Sequence, residues 1–206
     1  MALLCFVVAA CFVLFKELKS NVLKIGIIAG VVALTAGIVA FSPIKERYRN
    51  VIEFKAELPN KDMQPHEVNY RYAIYHCTRQ VLEKNWLFGV GVDKVQESLN
   101  VCYATFDYRG YDDFTKNAYN THNQYADMWL KYGIFGLLGF VLFLTYFLIK
   151  GSFLHKIFIL IFALALLTEN MLNRQIGIVT FTLFNAIFVA LNYPNFEKSI
   201  SRRLVR

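Results

Sequence analysis

Five long apolar runs punctuate the chain, at about Met1–Phe15, Ile25–Phe41, Gly133–Ile149, Phe153–Leu167 and Ile176–Leu191. Each is short but within reach of a bilayer core, so the pattern predicts about five transmembrane helices. Between the second and third runs the pattern changes. Residues 44–57 mix charges with scattered apolar positions and read as a surface helix lying on the membrane, with Arg47 and Arg49 at the head groups. Leu58–Glu67 carries two prolines and Asn60-Lys61-Asp62, which predicts a loop. Val68–Lys84 places Ile74, Thr78, Val81 and Leu82 at helical spacing, with Arg71, Tyr75 and Leu82 on an adjoining stripe. Trp86–Gly91 (WLFGVG) then makes an apolar turn whose glycines serve tight turning and close packing. A short helix capped by Asp93 is expected as far as about Cys102. Thr121 and Gln124 fit a capping box, so a helix is predicted to begin there and run unbroken through Gly133 into the third apolar run.

Composition agrees with a membrane protein: 56% of the 206 residues are hydrophobic. The formal charge of +7 is unevenly spread. Lys16, Lys19 and Lys24 follow the first run, Lys150 and Lys156 separate the third from the fourth, and Lys198, Arg202, Arg203 and Arg206 follow the fifth. These segments alternate with the others, which puts them together on the cytoplasmic side. The outward segment from Ser42 to Asp127 holds 11 Lys/Arg against 12 Asp/Glu, a net −1. The positive charge is therefore a topology signal, and nucleic-acid binding is not needed to explain it. The expected organisation is two spans over residues 1–41, a mostly helical periplasmic loop over 42–129, and three spans with a basic cytoplasmic tail over 130–206. The first run starts at Met1 without a polar flank, which reads as the C-terminal part of a larger polytopic protein.

Candidate chemistry gathers at the outer boundary. His122 lies at the predicted start of the third transmembrane helix, where free N–H groups favour nearby anions. Taken alone, a histidine in this position is more often a surface or capping residue than a catalytic one. Asn123 and Tyr125 beside it are possible supporting groups. Arg71 reads as a solvated or phosphate-anchoring side chain. Glu169 and Arg174, between the last two runs, either pair to close a tight outer turn or contribute to a site. Cys77 and Cys102 fall in the outward loop, where a disulfide and two free thiols both remain open. His76 beside Cys77 lacks metal-ligand spacing, so no metal and no cofactor is expected. Tyr103, Phe106, Tyr108, Tyr111, Phe114 and Tyr119 suit either a sugar-stacking cleft or packing at the membrane interface.

Three of these stretches, taken in order, resemble the O-antigen ligase-like family. Arg71, Tyr75 and WLFGVG resemble its arginine–tryptophan–glycine block. Thr121–Phe140 (THNQYADMWLKYGIFGLLGF) is similar to its histidine-asparagine block, and Leu167–Gly177 (LTENMLNRQIG) resembles its closing outer turn. The similarity runs from roughly Ala40 to the C-terminus. It implies a bacterial inner-membrane glycosyltransferase that takes a glycan from a polyprenyl diphosphate carrier on the periplasmic face. The acceptor would be lipid A–core or another glycan, without an essential metal. By motif position His122 would be the catalytic base and Arg71 would bind the donor diphosphate. A polysaccharide polymerase of the same family is the nearest alternative. A transporter fragment, with Glu169, Arg174 and His122 lining a pathway, and a non-catalytic membrane remnant belong to other classes.

Overall fold

A computed structural model describes residues 57–64, 68–108, 114 and 116–192, with scattered positions between 20 and 37. Among the described residues there are five α-helices, two short 3₁₀ turns and no strands. The helices are α1 (Tyr70–Asn85), α2 (Val95–Tyr103), α3 (Gln124–Lys150), α4 (Phe153–Ala165) and α5 (Gln175–Asn192). The first two expected spans, the expected helix over 44–57, Tyr111 and the basic tail lie largely or wholly outside the described residues.

Two hydrophobic clusters organise the chain, and α3 joins them. The first packs Ala73, Ile74, Cys77 and Val81 of α1 against Val95, Leu99 and Tyr103 of α2, with Leu130 of α3 closing it. Asn69 starts α1 by accepting the Tyr72 N–H, close to the predicted boundary. Cys77 and Cys102 are joined by a disulfide that ties α1 to α2. Of the aromatic residues in the Tyr103–Asn120 stretch, Tyr103, Phe106, Tyr108 and Phe114 are buried in this core, which closes their faces to a sugar. Phe114 is fully buried, and its ring meets those of Tyr70, Tyr103, Phe106, Tyr108 and Tyr119. Their density therefore reflects a small domain filled with rings. Asp93 sits inside the 3₁₀ turn Val92–Lys94, and α2 begins after Lys94 without a side-chain cap.

The second cluster holds Leu144 of α3, Ile159 and Phe162 of α4, Leu166 just after α4, and Phe181 of α5. Of the described helices, α3 is long and apolar enough to cross a membrane, while Phe153–Ala165 and Gln175–Leu191 are apolar but shorter. His155, fully buried, bonds Asn185 at 2.6 Å and stacks on Phe188, which fastens α4 to α5.

The expected unbroken helix is broken. Gly133 has φ 68° and ψ −168°, a conformation open to glycine, and divides α3 into an arm and a span. Tyr125 and Phe140 lie on opposite sides of it with ring centroids 5.6 Å apart. On a straight helix these positions would be separated by about 22 Å of rise. The chain therefore bends sharply at Gly133. The WLFGVG turn holds the bend: Ile134 N–H donates to the carbonyls of Trp86 (3.0 Å) and Leu87 (3.2 Å), and Val90 N–H donates to Leu130 O at 2.7 Å. Trp129 Nε1–H also donates to Trp86 O, at 2.7 Å. A Cβ at Gly133 would overlap the Leu87 carbonyl, and one at Gly89 would overlap Leu130 O. Close packing is thus the reason for both glycines.

Candidate active site

The segment Asn120–Asn123 is a run of short polar side chains that bond their own backbone. Asn120 Oδ1 accepts the His122 N–H at 3.0 Å. Thr121 Oγ1 donates to Asn123 O at 2.9 Å. Asn123, in place of the predicted Thr121, is the N-cap of α3, its side chain accepting from Tyr125 N–H (3.0 Å) and Ala126 N–H (3.1 Å). His122 consequently precedes the helix and is held at φ 46°, in the left-handed region. Histidine tolerates that region better than most side chains, and local turns of this kind supply the compensating bonds.

Thr121 and Gln124 fasten this turn to the connection between α4 and α5. Asn170 Nδ2 donates to Thr121 Oγ1 at 2.9 Å, and both residues are buried. Gln124 N–H donates to Leu166 O at 2.9 Å, and its Oε1 accepts the Leu172 N–H at 2.9 Å. Gln124 is therefore spent on tertiary contacts and forms no capping box. Below it, Asp127 pairs with Lys131 at 2.6 Å and accepts from Asn173 Nδ2 at 3.1 Å. Asp127 is buried, so this pair is a desolvated latch between the arm of α3 and the outer connection.

The latch brings Glu169 to His122. Glu169 Oε2 lies 3.7 Å from His122 Nδ1, and Nδ1 is buried with no hydrogen-bond partner among the described residues. The same carboxylate has Arg71 on one side, at 3.9 Å, and Arg174 on the other, at 3.8 Å. These are ionic separations, beyond hydrogen-bond length. Both arginines are more than half exposed, so solvent screens them and the pairs add little stability. Arg71 is the second residue of α1 and His122 precedes Asn123, the N-cap of α3, so side chains from beside two helix N-termini meet at one carboxylate. The partial positive charge of both ends adds to the two guanidinium groups. Two guanidinium groups beside a single carboxylate leave an excess of positive charge, suited to an anion.

Four sequence candidates thus meet: Arg71, His122, Glu169 and Arg174. Two do not. Asn123 is occupied in capping, and the Tyr125 hydroxyl donates to Ala163 O at 2.9 Å while its ring packs on Phe140. Asp127, Lys131 and Asn173 were not singled out by sequence; Asp127 and Lys131, four apart at the head of an apolar run, carried the usable signal. Among the described residues no three His, Cys, Asp or Glu side chains come together as a metal site would need.

The family model for O-antigen ligase matches residues 1–141. The chain belongs to the O-antigen ligase family. The match starts well before Ala40, where the motif resemblance begins, and it contains Arg71 and His122. Glu169 and Arg174 lie beyond it, brought in by the fold. Membership in the O-antigen ligase family makes the chain an inner-membrane protein of ligase or polymerase type, a glycosyltransferase-like class. Such proteins work in lipopolysaccharide and polysaccharide synthesis with a lipid-linked glycan and a glycan acceptor. No curated protein and no solved structure matches the chain.

Proposed function

We propose that the chain transfers a glycan from a polyprenyl diphosphate carrier to an acceptor hydroxyl, as an O-antigen ligase, at the periplasmic face of the inner membrane. The observation that carries this reading is the convergence of Arg71, His122 and Arg174 on the Glu169 carboxylate. In this reading residues 42–129 form the periplasmic loop, with two spans before it and three after, and the basic tail is cytoplasmic.

A sugar hydroxyl is a poor nucleophile at neutral pH. His122 Nε2 takes its proton as the acceptor oxygen bonds the donor's anomeric carbon, a contribution of about 10²–10⁴-fold. The bond between that carbon and the phosphate oxygen breaks, and its electron pair leaves on the diphosphate. Arg71 and Arg174 meet the growing charge with planar forks that match phosphate oxygens. Glu169 holds both arginines in the resting site and releases them to the diphosphate. It remains beside Nδ1 of His122, where its negative charge stabilises the imidazolium as it forms.

The test is His122→Ala in the native cell, with surface glycan and carrier-linked glycan resolved on gels. Accumulation of long carrier-linked glycan with none on the acceptor supports the ligase. Shortening of chains to single repeats makes the protein a polymerase of the same family. An unchanged profile with the variant protein present in the membrane contradicts the catalytic reading.

A further inference from the structure

The WLFGVG turn exposes more apolar surface than its packing role requires. Phe88 is 76% exposed and Trp86 54%, and beside them on α3 Tyr132 and Phe135 are 51% and 64% exposed. These side chains cannot fold inward, because the turn's backbone is pinned to the Gly133 break by the Ile134 and Val90 hydrogen bonds. The pinning also fixes their height. Lys131 is the last charge before an uncharged run that ends at Lys150, so the turn sits at the N-terminal mouth of the span. The exposed face continues without interruption down α3 through Leu138 and Leu142. An open groove of about 370 Å³, lined in part by Tyr75, Leu82, Trp86 and Trp129, extends it along α1.

We propose that the Trp86–Phe88 turn is a membrane anchor, its side chains entering the leaflet at the mouth of the α3 span. Three features favour lipid as the occupant. The patch is continuous with the flank of the uncharged part of α3 that follows Gly133. Its composition, two aromatic residues on the turn and two on the helix, is that of an interfacial belt. The turn's carbonyls at Trp86 and Leu87 and the Val90 N–H are already bonded, so entering the boundary region leaves them satisfied. Exposed Lys84, two residues before Trp86, then lies within reach of lipid phosphates.

Trp86 and Trp129 are the only two tryptophans, and both border the patch, so the unmodified protein reports on it. The full chain is reconstituted in phosphatidylcholine vesicles carrying bromine either near the head group or near the chain end. Tryptophan emission is expected to fall most with bromine near the head group, and iodide in the buffer to quench little. Phe88→Asp is expected to weaken quenching by brominated lipid and strengthen quenching by iodide, with the Cys77–Cys102 bridge still present on a non-reducing gel. Strong iodide quenching of the unmodified protein without lipid quenching overturns the proposal, since the patch then faces water. Quenching by neither overturns it too, since protein then covers the turn.

Discussion

Glu169 Oε2 lies 3.7 Å from Nδ1 of His122, although the two residues are 47 positions apart in the chain. The contact exists because α3 folds back at Gly133 and its arm is latched to the connection between α4 and α5. Arg71 reaches the same carboxylate from the first turn of α1. The geometry of the site is thus a product of three segments, each held by its own bonds.

Arg71→Ala is expected to lower transfer by on the order of 10²–10³-fold, the usual cost of removing one preorganised donor to a developing charge. Arg71→Lys should restore little of it, because an ammonium lacks the planar fork. Initial rates against carrier-linked donor concentration check this; equal rates for the lysine variant and the native protein would remove Arg71 from diphosphate binding.

The left-handed backbone at His122 makes a separate prediction about stability. His122→Gly should abolish transfer yet be more stable than His122→Ala by about 1 kcal/mol, since glycine accepts φ 46° without a Cβ penalty. Thermal unfolding of the two variants in the same detergent decides it.

Asp127→Ala leaves the Lys131 ammonium, 15% exposed, without its 2.6 Å partner. Removing one member of such a pair costs about 3–5 kcal/mol. The variant should unfold at lower temperature and lose transfer together, and Asp127→Ala with Lys131→Met should recover much of the stability. An unchanged melting temperature for the single variant would contradict the latch.

Burial raises the pKa of Tyr103, whose hydroxyl donates to Tyr119 O at 3.2 Å. The folded state therefore keeps the phenol protonated after the unfolded chain begins to ionise near 10.0. The stability contributed is complete below that pH and is lost progressively above it. Tyr103→Phe should cost about 1 kcal/mol near neutrality and unfold less steeply with alkali. Denaturation followed from pH 7 upward reads both effects.

Much of the local structure was legible in the sequence. Periodicity located α1 to within two residues at each end, and the two glycines of WLFGVG divide the turn and close-packing roles expected of them: Gly89 packs against Leu130, while Gly91 has open space beside it and a φ of 87° that serves the turn. The disulfide was one of two open possibilities, since spacing alone does not fix whether two cysteines approach. What stayed hidden were relationships between segments. Thr121-x-x-Gln124 matched a capping box, but Asn123 caps better placed N–H groups and Gln124 finds partners on the α4–α5 connection that no local pattern reveals. Gly133 sat in an apolar run where glycine is ordinary, so its left-handed φ and the fold-back were invisible. The ring-rich stretch suits a sugar cleft or a membrane interface equally well by composition, because aromatic density is the same whether the faces are open or packed. Arg71, His122, Glu169 and Arg174 were each identifiable as candidates, while their meeting depended on that bend.

The most direct measurement is the rate of glycan transfer by purified His122→Ala in vesicles containing carrier-linked donor and acceptor, with and without added imidazole. The account predicts a fall of about 10²–10⁴-fold and a partial, concentration-dependent recovery with imidazole, which replaces the missing base. A folded His122→Ala protein that transfers glycan at the native rate would contradict it.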